Sequence, residues 1–171
     1  MLKKNVNEFN QSVFNELNKW PILTCGDKTT GFNSMTVSWG GFGTLWNKQV
    51  CFIFVRKSRY TYEFLNKSDS VTLSFLSDEY KRAKEIFGKK SGRDVNKYLE
   101  TNLHPCFEPD FNGYFIAEAL YTFKMKKLYS IDLPIENLPD SIKNAYYPND
   151  DIHTMFVCEI KEYLVKENLY E

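Results

Sequence analysis

Three short stretches of this 171-residue chain carry residue types suited to holding a ligand. The first, VRKSRYT (Val55–Thr61), leaves an apolar run and enters a segment with helical spacing, so Arg56, Lys57, Ser58, Arg59 and Thr61 gather where a helix begins. Cations, hydroxyls and unpaired backbone N–H groups at such a place bind phosphate, although a solvated basic turn would have the same composition. The second, SGRDVNK (Ser91–Lys97), repeats that logic with Arg93 on a first helical turn and Lys97 one turn further on. Ser91 and Asp94 also have the spacing of a capping box, so capping alone accounts for a helix start there. The third, NSMTVSWGGFGTLW (Asn33–Trp46), offers hydrogen bonds from Asn33, Thr36 and Ser38 and apolar surface from Met35 and Trp39. That is a ledge for a flat ring, or else a core strand with a glycine bend. Together, the two cationic turns and the ledge suggest a nucleotide-like cofactor.

The elements that must position these residues are mostly strands. ILTC after Pro21, SMTVSW before the glycines, QVCFIFVR (Gln49–Arg56) and SVTLSFL (Ser70–Leu76) read as four strands, the third apolar almost throughout and the fourth half-buried. Gly40, Gly41 and Gly43 imply a sharp bend or a close backbone approach. Residues Asn7 to Trp20 have near-helical apolar spacing, and Tyr60 to Asn66 places Tyr60 and Phe64 on one helical face. A helix is expected over Asp78–Phe87, with Gly88 as a left-handed stop, and another from Ser91. YFIAEALYTFKMKKLYSID then reads as one long antiparallel strand or hairpin, Asp140–Asp151 as a turn-rich loop, and HTMFVCEIKEYLV as the closing strand. Six or seven strands without strand–helix alternation point to an antiparallel barrel with inserted helices, ahead of a doubly wound sheet.

Composition narrows the function classes. Hydrophobic residues make up 43% and aromatics 16%, with 14 Phe and 11 Tyr, which favours a folded β-rich core. The length suits one domain. Twenty-two basic and 22 acidic residues leave no net field to attract nucleic acid or a membrane surface. Cys25, Cys51, Cys106 and Cys158 are scattered, without the paired spacing of a zinc or redox motif, and read as buried thiols. His104 and His153 are the only histidines, which makes a metal site unsupported; His104, beside Pro105, reads as a loop residue. Triphosphate-binding and nucleophile-elbow motifs are absent, and GGFG lacks the context of a dinucleotide fingerprint. The amino-terminal MLKKNVNEFN has no apolar run, and no span reaches the roughly 20 apolar residues of a bilayer crossing, so a soluble, cytoplasmic protein is expected.

FNSMTVSWGGFGTLWNKQVCFIFVRKSRYTYEFL, followed by VTLSFL and SGRDVNK, resembles the flavin reductase-like family, whose FMN-binding split barrels include flavoredoxin. The likeness runs from about Cys25 to Lys97, and HTMFVCEI is similar to the family's last core strand. It implies a mainly β, Greek-key-like antiparallel split barrel over residues 1–171, with a helical extension at 1–20 and a tail at 128–171 that carries the closing strand. It further implies that Asn33, Ser34, Met35, Thr36, Val37, Ser38 and Trp39 lie at the flavin ring. Arg56, Ser58, Arg59, Tyr60 and Thr61 would take the phosphate and ribityl chain, and Ser91, Gly92 and Lys97 the ligand edge or phosphate. His153 matches a late histidine near the flavin in relatives. The implied activity is an FMN-binding oxidoreductase, a flavin reductase using NAD(P)H. A flavoredoxin-like electron carrier serving a protein partner and a non-catalytic flavin-binding domain are the alternatives. A homodimer is implied, with both chains lining the site. The long tail, with YYPND before the closing strand, departs from a short flavin reductase and could cap the site.

Overall fold

The computed structural model describes residues 1–167. Its strands are β1 (Leu2–Lys4), β2 (Ile22–Asp27), β3 (Gly31–Thr36), β4 (Gly40–Leu45), β5 (Lys48–Arg56), β6 (Ser70–Phe75), β7 (Pro105–Glu108), β8 (Gly113–Ile116), β9 (Tyr121–Asp132) and β10 (His153–Val165). The helices are α1 (Val13–Asn18), α2 (Tyr60–Lys67), α3 (Lys81–Lys89), α4 (Lys97–Thr101) and α5 (Asp140–Tyr146). The main sheet runs β3-β2-β6-β9-β10-β5-β4, every neighbour antiparallel, and β1 joins the far end of β10. β7 and β8 form a separate hairpin. The molecule is mainly β, a split barrel with a few short helices. The tail anticipated at 128–171 is therefore the outer half of β9, an excursion containing α5, and β10; its last four residues lie outside the described ones.

The strands pack on a core containing Leu23, Ile53, Leu73, Phe123 and Phe156, all fully buried. β5 alternates as a barrel strand should, with Cys51, Ile53 and Val55 inward. β6 does not: all six of its residues are buried, where a half-solvated strand is expected. The β7–β8 hairpin and its loop cover the hydroxyl face, and Thr72 donates to the Tyr114 carbonyl at 2.7 Å while Ser70 donates to that of Phe111 at 3.3 Å. Serine and threonine thus line an interior face because each hydroxyl finds a partner.

Several local expectations are corrected. The amino-terminal segment is a 3-10 turn at Val6–Glu8 followed by α1; between them Phe9 turns inward, 5.1 Å from Phe123 and 5.7 Å from Tyr163 between ring centroids. Burying this one ring interrupts the continuous helix that the spacing suggests. The glycines of GGFG lie within β4, where Gly40 passes so close to β5 that a Cβ would sit 2.4 Å from the Phe52 carbonyl oxygen. β4 and β5 join through Trp46 and Asn47, both with positive φ, a two-residue hairpin turn. Gly88 is no left-handed stop: it lies inside α3, and a Cβ there would meet the Thr36 hydroxyl at 2.6 Å. The helix expected from Ser91 begins at Lys97 instead, capped by the Asn96 side chain on the Tyr98 and Leu99 amides. The long strand expected after Tyr114 breaks at 117–120 into β8 and β9, and the turn-rich loop contains α5.

Candidate functional site

Three segments distant in sequence meet beside the open edge of β3. The β5–α2 turn brings Ser58, Arg59, Tyr60 and Thr61; the connection from α3 to α4 brings Lys89, Lys90, Ser91, Gly92, Arg93 and Lys97; β3 contributes Asn33 and Met35. They enclose a cavity of about 130 Å³. A more open cavity of about 480 Å³ continues from it, where Phe32, Phe64, Val95 and Tyr98 add apolar wall.

β3 ends the main sheet, so one row of its backbone groups lacks a strand partner. Lys97 serves that edge. The residue is 4% exposed, and its ammonium donates to the Ser34 carbonyl at 2.6 Å and to the Phe87 carbonyl at 3.4 Å and lies 5.3 Å over the Phe87 ring. An ammonium has three N–H donors, so one remains for the cavity. Below it, Ser34 is held by hydrogen bonds with the Thr24 hydroxyl at 2.8 Å and with Tyr98. Asn33 donates to the Thr61 hydroxyl at 2.8 Å, tying β3 to α2. Gly92 lies so close to Asn33 that a Cβ would be 2.2 Å from its side-chain oxygen, so the chain here admits only glycine without movement.

Cations dominate the wall. Lys89, Lys90 and Arg93 each have a carboxylate, Glu85 at 3.7 Å, Glu100 at 2.6 Å and Glu63 at 2.6 Å. Arg59 and Lys97 have none among the described residues; Arg59 donates instead to the Gly88 carbonyl at 2.9 Å. Burial, and then the neighbouring Arg56 charge, lowers the Arg59 pKa. Burial, reinforced by Arg59, lowers the Lys97 pKa from 10.5 to about 8. Two desolvated cations, one of which lowers the other's protonation, are a place where an anion is stabilised.

Not every anticipated residue faces these cavities. Thr36 packs against α3 at Gly88. Val37 is buried, its amide donating to the Pro21 carbonyl at 3.0 Å. Beyond Ser38, Trp39 lies 4.9 Å from the His153 ring and 5.3 Å from that of Tyr146. Arg56, opposite His153 in the β5–β10 register, donates to the backbone carbonyls of Asp151 at 2.6 Å and Tyr146 at 2.9 Å and lies over the Tyr147 ring. The segment between β9 and β10 thus folds back on the Trp39 end, latched by Arg56. Of the residues that position these groups, Asp151 carries no local motif, while Gly88 reads locally only as a helix stop and Tyr147 only as part of YYPND.

His153 is buried, its Nδ1 2.8 Å from the Tyr147 hydroxyl. Burial and then the Arg56 cation hold its pKa down at about 4, so it is neutral at physiological pH. The folded chain therefore binds fewer protons than the unfolded one between the ordinary histidine value of 6.5 and about 4. Stability falls as pH drops through that window. His153→Gln should flatten this acid slope in chemical denaturation at pH 7 and pH 5; an unchanged slope would assign it to other groups.

The flavin reductase like domain model matches residues 19–171. The chain belongs to that family. Solved structures with the same fold include flavoredoxin of Desulfovibrio vulgaris (Miyazaki F), at 19% identity over 97% of this chain and 78% of that one, with a TM-score of 0.66. An FMN-binding protein from Thermus thermophilus matches at 16% identity over 89% and 73%, with a TM-score of 0.68. The NADH:FAD oxidoreductase of Streptomyces globisporus C-1027 matches at 15% over 85% and 74%, with a TM-score of 0.64. No curated protein matches the sequence significantly. Among the described residues no helix is long and apolar enough to cross a membrane.

Proposed function

We propose that this flavin reductase-like domain binds FMN and acts as an NAD(P)H-dependent flavin reductase. The carrying observation is the pair Arg59 and Lys97, a half-buried and a buried cation that form no ion pair among the described residues and share a cavity with Ser58, Ser91 and the α2 amino terminus. A phosphate supplies the missing negative charge, and glycine at 92 lets the cationic turn close against Asn33 at the cavity wall. The ring lies along Met35–Trp39, at the end of the β3 edge whose outward backbone groups lack a strand partner. Bound FMN would supply hydride acceptance and transfer. The chain's own work is to bind the anionic tail and to orient the ring against Trp39. No side chain is required as acid or base.

A homodimer completes this reading. Leu128, Tyr129 and Ile131 are exposed on the outer half of β9, and Trp46 stands edge-on to Tyr129 at 6.2 Å. A second copy seated there would cover the face.

Anaerobic mixing of FMN-loaded protein with NADH or NADPH should bleach the flavin absorbance; no bleaching with either donor removes the reductase activity. The segment folded over Trp39 favours one second reading, an electron carrier whose site is closed to nucleotides. Reduction by a ferredoxin and by neither nucleotide selects it, and colourless protein without FMN affinity removes both.

A further inference from the structure

The excursion between β9 and β10 ends on the turn that precedes α2. Asp151 accepts the Ser58 hydroxyl at 2.6 Å and the Ser58 amide at 3.4 Å, and its other contact is with the Arg56 guanidinium at 3.9 Å. These are an amide, a hydroxyl and a cation at the amino end of a helix, the donor set that suits a phosphate oxygen, and here a carboxylate of the chain itself sits on it. The segment is held at few other points. Arg56 donates to the Tyr146 and Asp151 carbonyls, Tyr147 bonds His153, and Trp39 packs on Tyr146. Asp140 is exposed, as are Tyr146 and Asp150, and Asp150 has a positive φ of 55°. The segment is therefore fastened chiefly at its carboxyl end, by contacts that converge on Arg56 and Ser58.

We propose that Asp151 is a built-in anion that competes with the ligand's phosphate for Ser58, so that a phosphorylated flavin releases the 140–151 segment while its dephosphorylated counterpart leaves the segment in place. This rests on the flavin reading above and adds to it a choice between ligands. Arg59 and Lys97 provide the fixed half of the anion site, and Ser58 provides a half that must be exchanged. Arg56 keeps a counter-ion on exchange: a phosphate with up to two negative charges replaces the single charge of the carboxylate, and Asp151 moves into water. Binding of FMN then parts the already exposed Trp39 and Tyr146 rings, so one event fills the phosphate cavity and loosens the ring end.

The test compares FMN and riboflavin on the wild-type chain and on Asp151→Asn, with affinities from flavin fluorescence quenching and segment opening from amide hydrogen exchange over 143–152. Exchange there should rise at least several-fold with FMN and stay unchanged with riboflavin. Asp151→Asn should tighten FMN roughly tenfold relative to riboflavin, and Ser58→Ala should raise exchange in the ligand-free protein. If Asp151→Asn tightens FMN but exchange does not respond to FMN, the carboxylate acts only through its field and displacement is overturned. If the FMN to riboflavin ratio is the same in both proteins, competition is overturned. If neither protein binds FMN, the flavin reading itself fails, and this inference with it.

Discussion

Replacing Lys97 by methionine should weaken FMN binding by about 2–3 kcal/mol, roughly 30- to 150-fold, while riboflavin binding changes by less than about threefold. Methionine nearly keeps the apolar stem but also leaves the Ser34 and Phe87 carbonyls without their donor, so the riboflavin comparison is what separates the charge from that structural loss. A charge-assisted bond made by a cation already stripped of water is stronger than one made at the surface, because its desolvation has been met in folding. The same substitution should remove a pH dependence. With a pKa of about 8 in the free protein, Lys97 is increasingly neutral above that value, so wild-type FMN affinity falls as pH rises through 8. Stability moves the other way: the folded chain binds fewer protons than the unfolded one between about 8 and 10.5, and the ligand-free protein gains stability with pH across that range. Titration calorimetry at pH 7 and pH 9 on both proteins checks the first sign, and chemical denaturation of the ligand-free proteins across about 8 to 10.5 checks the second. Equal FMN affinity in wild type and variant at pH 7 would place the phosphate elsewhere.

Arg59→Ala should weaken FMN by about 1.5–3 kcal/mol and also loosen the cavity. Its guanidinium bridges the amino end of α2 to the Gly88 carbonyl near the end of α3, the only described side chain to make that link by a hydrogen bond. Loss of the bond leaves a carbonyl to find a new partner and frees the 90–96 connection, so riboflavin affinity should fall too, by less than FMN. Lys97→Met moves the two ligands apart; Arg59→Ala moves both, unequally. Arg56→Ala provides the contrast, because its donors go to the Tyr146 and Asp151 carbonyls and its first effect is on the latched segment.

How much of this is legible in the sequence depends on the range of the interaction involved. The residues that meet at the cavity come from stretches recognisable by type alone, because a phosphate site needs cations, hydroxyls and a helix start together, and VRKSRYT supplies all three within seven residues. The strands β2, β5 and β10 follow from their apolar runs. What local pattern does not carry is what a residue meets across the fold. Ser91 and Asp94 have capping spacing, yet the chain continues in turns until Asn96, because Lys97 must reach the Ser34 and Phe87 carbonyls and Gly92 must pass Asn33. Gly88 sits where a helix stop is expected, yet its missing side chain answers a close approach by Thr36. Arg56 belongs to the cationic turn by sequence, and its use as a latch becomes visible only with the carbonyls of residues some ninety positions later. The hydroxyl face of β6 reads as solvated because nothing local announces the β7–β8 hairpin that covers it.

The central claim is that Arg59 and Lys97, in the cavity between β3, α2 and the α3–α4 connection, hold the anionic tail of a flavin. A crystal structure of the chain grown with FMN tests it most directly. The account predicts phosphate oxygens within hydrogen-bond distance of both the Arg59 guanidinium and the Lys97 ammonium, with the ring along Met35–Trp39. A phosphate bound away from both cations, or a cavity that stays empty at saturating FMN, would contradict it.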